Sequence, residues 1–196
     1  MPRRRYDQFC PIARALDVVG ERWTLLIVRE LLAGPRRYTD LHADLPGVST
    51  DVLATRLKEM EREELVARRR LPPPAAAFVY ELTERGRGLL PVLAALADWG
   101  APALAERRPT DAVRAHWFAV PLMRHLAETT ERTEGVIEVR LDEGTFHVTL
   151  DETGPAYADG PAAHPDERLV MDTDTVLKIL GQEEGGRFRE PGEPVD

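Results

Sequence analysis

Residues 38–62 read YTDLHADLPGVSTDVLATRLKEMER, and this stretch decides the architecture of the first half of the chain. Residues 38–45 suit a short helix, which Pro46-Gly47 closes. Ser49 then stands where an N-cap belongs, its hydroxyl placed to accept from an unpaired amide of the next turn. In the helix that follows, Leu53, Leu57 and Met60 recur at helical spacing and form one buried stripe. Asp51, Thr55, Lys58 and Arg62 line a second face with the same spacing, left for solvent or a partner.

Upstream, residues 10–19 (CPIARALDVV) read as a short helix stopped by Gly20. Residues 22–33 are apolar on almost every side, as in a buried central helix, and Gly34-Pro35 ends it. Downstream, residues 65–71 and 77–82 read as strands joined through Pro72-Pro73-Pro74, since proline suits a loop and not a strand interior. Thr83 caps a last long helix over 84–106, which Pro91 kinks because its nitrogen cannot donate to the carbonyl of Arg87. Four helices, a two-stranded ribbon and a helix make a winged helix-turn-helix.

After residue 108 the texture changes. Residues 112–130 look helical, residues 136–140 and 145–150 alternate as strands around Asp142-Glu143-Gly144, and Leu169-Val170-Met171 suits a third strand. Residues 173–180 read as a helix capped by Thr173 or Asp174, and 181–196 is rich in Gly, Pro and Glu, a composition with little fixed structure of its own. The fold class is α+β: a winged helix-turn-helix domain at 1–108, and a small α+β domain with an antiparallel sheet at 109–196.

The net charge of -8 hides an asymmetry. Residues 1–110 carry 18 Arg and Lys against 15 Asp and Glu, whereas 111–196 carry 8 against 19. A DNA-binding face must then gather its cations locally in the first half. In a helix-turn-helix the second helix enters the major groove with its N-terminal residues at base edges. Ser49, Thr50 and Asp51 put short hydrogen-bonding groups at that tip, with Thr55, Arg56 and Lys58 on or near the outward face. Arg56 is the candidate for bidentate reading of guanine; Lys58 and Arg62 suit phosphate. Arg36-Arg37 before the first helix of the pair and Arg68-Arg69-Arg70 on the ribbon would neutralise the DNA backbone and set register.

These elements carry a resemblance. Cys10-Pro11-Ile12, Gly20-Glu21-Arg22-Trp23, Arg37-Tyr38-Thr39-Asp40-Leu41, Pro46-Gly47-Val48-Ser49, residues 53–61, Leu65-Val66-Ala67-Arg68, Val79-Tyr80-Glu81-Leu82-Thr83, Gly86 and Trp99 fall in the order seen in HxlR-type winged-helix regulators. The match runs from about residue 10 to 100. It implies a homodimer on double-stranded DNA, held by its first and last helices. Leu89, Leu93, Leu96 and Trp99 are the interface candidates on the last helix. Glu64 departs from the pattern: it stands where the family often has the glycine that ends the recognition helix, so the turn there is expected to be strained. Cys10 occupies the position that some relatives use as a redox sensor; its alternative is a small apolar filler. Residues 136–150 and 168–177 resemble part of a small sterol-carrier-like domain, which implies a pocket for a small apolar effector. An accessory dimer-stabilising module is the alternative.

Other classes find less support. The five histidines show no metal-ligand spacing, no cofactor motif occurs, and no convergent set of polar residues marks an enzyme. One cysteine excludes an internal disulfide. No run approaches the roughly 18 uninterrupted apolar residues of a membrane helix, and no apolar signal region follows the basic N-terminus, so the expected location is cytoplasmic. A winged-helix module used only for protein contact remains the rival to DNA binding.

Overall fold

The computed structural model describes residues 5–130, 132–152 and 154–182. The start of the basic N-terminus, 1–4, and the Gly-, Pro- and Glu-rich stretch 183–196 lie outside the described residues. The chain divides into two compact units between Leu93 and Ala94. The division falls inside a helix, ahead of the change in composition at 108 that set the expected domain limit.

The first unit contains α1 (Pro11–Val19), α2 (Thr24–Leu32), β1 (Arg36–Arg37), α3 (Tyr38–Asp44), α4 (Thr50–Arg62), β2 (Val66–Arg70), β3 (Phe78–Leu82) and α5 (Glu84–Arg87). Helix α2 is central: Ile27, Val28 and Leu31 pack with Leu41 and Leu45 of the α3 segment and with Leu53, Leu57 and Met60 of α4. The stripe read from the sequence is thus the face that fixes α4 to the core. Gly47 allows the turn between α3 and α4 with a φ of 86°, a conformation other residues enter at a cost.

Helix α4 ends without glycine. Glu64 takes φ 58°, the Leu65 N–H donates to the Met60 carbonyl at 2.9 Å, and the Glu64 N–H donates to that of Glu61 at 3.1 Å. This is the double hydrogen bond of a Schellman end. Its left-handed residue carries a side chain, at a cost of about 1–2 kcal/mol. The strain expected at Glu64 is present.

The ribbon is a three-stranded antiparallel sheet in the order β1-β3-β2, with Arg68 opposite Tyr80 and Arg70 opposite Phe78. Strand β1 was not legible in the sequence: it is two residues long and exists through its pairing with β3.

Helix α6 (Leu90–Gly100) follows α5 after a break at Gly88-Leu89, the interruption that Pro91 imposes. None of its residues is buried. The helical run Glu84–Ala105, 22 residues, is long and apolar enough by length and composition to cross a membrane. No uninterrupted apolar run of that length occurs in it, as expected, and it is broken at Gly88-Leu89. The run also includes Asp98, whose carboxylate accepts from the Arg124 guanidinium at 2.5 and 2.9 Å.

The second unit holds α7 (Ala119–Thr129), β4 (Gly135–Leu141), β5 (Gly144–Leu150), β6 (Ala156–Asp159), β7 (Glu167–Val170) and α8 (Thr173–Gln182). Strands β4 and β5 pair from Gly135 with Leu150 to Leu141 with Gly144, the hairpin expected around 142–144. The sheet order is β6-β5-β4-β7. Strands β4, β5 and β6 are antiparallel, but β7 joins β4 in parallel. The connection from β6 carries the chain past two strands to the opposite edge, so the sheet is mixed and not wholly antiparallel as expected. Alternation turns Ile137, Val139, Phe146, Val148, Leu150 and Tyr157 inward, where they are buried with Leu122 and Leu126 of α7. The cap of α8 is Asp172, one residue earlier than read, with Oδ1 accepting from the Thr175 N–H at 2.7 Å. Hydrogen bonds from Thr175, its side chain foremost, hold the Asp172 carboxyl below its usual value.

Candidate nucleic-acid interface

Helix α4 begins as the sequence requires. Ser49 Oγ accepts from the Val52 N–H at 3.3 Å. Tyr38 of α3 donates its hydroxyl to the Thr50 carbonyl at 2.7 Å, tying the first turn of α4 to the preceding helix. That clamp went unread in the sequence because an aromatic at a helix start usually signals packing. Ser49, Thr50, Asp51, Thr55, Lys58 and Arg62 are all exposed. So is Val52, at 40%. It escaped sequence reading because an isolated valine is normally assigned to the core, yet its methyl groups suit contact with a thymine methyl.

Arg56 is placed differently from its sequence reading. Its guanidinium turns back to Glu59 at 2.6 Å and to Glu21 at 3.9 Å, leaving the side chain 17% exposed. It lies off the outward face because it is one helical position from the buried Leu57. Arg36 likewise lies 3.9 Å from Asp44, whereas Arg37 is exposed. The Arg37 N–H donates to Asp40 Oδ2 at 3.2 Å, which orders the start of α3.

Strand alternation separates the ribbon arginines. Arg68 and Arg70 share a face with Phe78 and Tyr80, and Arg69 points to the other. Arg68 stacks over the Phe78 ring at 4.0 Å, which holds the guanidinium without neutralising it. Arg69 donates from Nε to both carboxylate oxygens of Glu81 at 3.1 Å and is neutralised. Burial pushes the Tyr80 hydroxyl up from its ordinary value against the opposing pull of Arg68, so it stays protonated. All three arginines remain exposed to solvent.

Cys10 caps α1 through its backbone, its carbonyl accepting from the Arg14 N–H at 3.0 Å, and the residue is partly exposed. Leu89 and Leu93 are partly buried against the core of the first unit. Leu96 and Trp99 are exposed, Trp99 at 75%. The four interface candidates therefore divide: two lie against their own unit and two face outward.

The helix-turn-helix is shared with known regulators. Residues 18–108 match the family model for an HxlR-like helix-turn-helix. Over 94 residues the chain is 39% identical to the HTH-type transcriptional regulator YvaP of Bacillus subtilis, covering 47% of this chain and 87% of YvaP. It is 37% identical to the HTH-type transcriptional regulator YodB of the same organism, covering 47% of this chain and 84% of YodB. The solved reduced form of YodB superposes with a TM-score of 0.43 at 36% identity, over 47% of this chain and 92% of that one. These relatives are transcriptional regulators and not enzymes. With a helix-turn-helix of this sequence, the chain belongs to the HxlR-like helix-turn-helix family of DNA-binding transcriptional regulators.

Proposed function

We propose that the protein is a homodimeric repressor that reads an inverted-repeat operator, with its second half serving as a module for a small apolar effector. The observation that carries this reading is the exposed first turn of α4, with short polar groups at Thr50 and Asp51, followed along the helix by exposed Thr55, Lys58 and Arg62, while Arg37 and Arg70 are exposed on the strands. Short side chains at the tip let the helix approach base edges, and the flanking cations take phosphate. Two such helices related by a two-fold axis meet successive major grooves roughly 34–36 Å apart, which demands an inverted repeat. A dimer seated across that span excludes other proteins from the same duplex, which is the physical basis for repression. Selection of bound duplexes from a random pool tests the reading. An inverted repeat with one helical turn between half-sites supports it, and binding without sequence preference rejects it.

The ribbon arginines are expected to act unequally. Arg70→Ala and Arg68→Ala each flatten the slope of log affinity against log salt by about 0.9 per lost contact per subunit, for all duplexes alike. Arg69→Ala changes the slope much less, because Glu81 already neutralises Arg69. Titrations on operator and random duplex at several salt concentrations check this; a loss confined to the operator contradicts it.

Arg56 separates two roles. As a base reader, Arg56→Ala relaxes preference at one position of each half-site by roughly 1–3 kcal/mol. As the clamp seen between Glu59 and Glu21, the same substitution lowers affinity for all sequences evenly and leaves the preference intact. The ion pairs favour the second outcome, and a matrix of single-base operator variants decides between them. Cys10 is proposed as a thiol sensor: Cys10→Ser keeps duplex affinity and removes any release by diamide, and a wild type indifferent to diamide ends that assignment.

A further inference from the structure

The second unit carries a cleft of about 680 Å³ between α7, the β4–β7 edge of the sheet and α8. That volume is in the range of small-molecule sites. Its floor is formed by Leu126, Ile137, Val139, Leu169, Met171 and Ile179. Ile137 and Val139 belong to the buried face of the sheet, while Leu169, Met171 and Ile179 are only partly covered. The sheet's apolar face thus continues into a space that the protein's own described side chains do not close. At the rim, Arg132 and Glu167 face each other, Nε to Oε2 at 3.8 Å, with both side chains partly open to solvent. His125 and Thr129 complete the polar edge, and Thr129 donates its hydroxyl to the His125 carbonyl at 2.7 Å.

We infer that this cleft binds an uncharged amphiphile, an aliphatic body with a hydroxyl or similar neutral head group at the Arg132–Glu167 rim. The inference rests on the effector reading only for its regulatory meaning; the ligand class follows from the rim. An anionic head would have to compete with Glu167 for Arg132, and a cationic head with Arg132 for Glu167. A hydroxyl can donate to the carboxylate and accept from the guanidinium while the pair stays neutral. The apolar floor excludes a ligand that is polar along its length, since its groups would lose water without finding partners.

The test uses 1-decanol, decanoate and decylammonium, three probes with the same chain and different heads, each competing with Nile red for the full-length protein. Decanol is expected to bind at least tenfold more tightly than either ion. Met171→Trp, which fills the floor, abolishes this binding. Glu167→Gln, on an exposed side chain, frees Arg132 and shifts the preference at least tenfold toward decanoate; this arm stands if Met171→Trp fails to fold. Decanoate or decylammonium matching decanol on the wild type overturns the inference, as does failure of all three to displace the dye. Duplex affinity with and without decanol is measured separately. Decanol binding with unchanged duplex affinity supports the cleft assignment and removes the effector reading alone.

Discussion

Leu96→Asp combined with Trp99→Asp is expected to convert the protein to a monomer and to abolish tight binding to a paired operator. Helix α6 has no buried residue, and Val92, Leu96 and Trp99 along it are all exposed. Leu90, Leu93, Ala94 and Ala97 are half-covered on one side of this helix, which leaves the opposite side apolar and open, and exposed apolar patches of this kind mark sites of association. Leu104, just beyond it, is exposed as well. Helix α1 has the same character, with Ile12 at 70% and Leu16 at 43%, and Phe9 just before it is fully exposed. Full burial of a large apolar side chain contributes roughly 1.5–3 kcal/mol. Trp99 is three-quarters exposed and Leu96 less than half, so these two positions in each of two subunits remove on the order of 4–7 kcal/mol of association free energy. Both side chains are exposed within the subunit, so the variant should fold with an unchanged melting temperature per subunit. Sedimentation at micromolar concentration, with anisotropy titrations on single and paired half-sites, gives the answer. A wild type that is monomeric and binds one half-site as tightly as two would sink the dimer proposal.

Gly86→Ala is expected to be among the most damaging single-methyl changes in the first unit. Gly86 is buried in α5, and a Cβ placed there runs into the backbone carbonyl of Leu65, with Leu82 Cδ2 at 3.0 Å behind it. Neither neighbour can yield easily. The Leu65 carbonyl accepts from the Thr83 N–H at 3.1 Å, and Thr83 donates its hydroxyl to the Glu64 carbonyl at 2.5 Å while accepting from the Gly86 N–H at 3.1 Å. The methyl would therefore part α5 from the junction of α4 and β2. Overpacking of this kind costs about 3 kcal/mol, equivalent to a fall in melting temperature of roughly 12–24 °C for a domain near this size. Gly100→Ala is the control: nothing lies within 4 Å of its Cβ position, so the melting temperature should hold or rise. Thermal unfolding of both variants tests the contrast. An unchanged Gly86→Ala would mean that the α5 contact is looser than the geometry requires.

Local chemistry by itself determined much of this protein. The Leu53, Leu57 and Met60 stripe, the Pro46-Gly47 turn, the Ser49 cap, the Glu64 irregularity and the 142–144 hairpin all depend on residues within a few positions of one another. Helical and strand periodicity reports such relations directly. The second helix of the helix-turn-helix and the exposure of the residues at its start were legible for the same reason. Tertiary structure decided what depends on distant partners. Strand β1 exists through β3, β7 takes a parallel place beside β4, and neither pairing leaves a mark in a short window. Glu81 neutralises Arg69 from the paired strand, and Glu21 adds a distant carboxylate to the local Glu59 pair that turns Arg56 inward. The sequence displays Arg68, Arg69 and Arg70 as equal members of a cationic set and Arg56 as free to reach a partner. Charge is a property of a residue, but its availability depends on which carboxylates the fold brings within about 4 Å, a distance at which an ion pair outcompetes solvent only when geometry holds it.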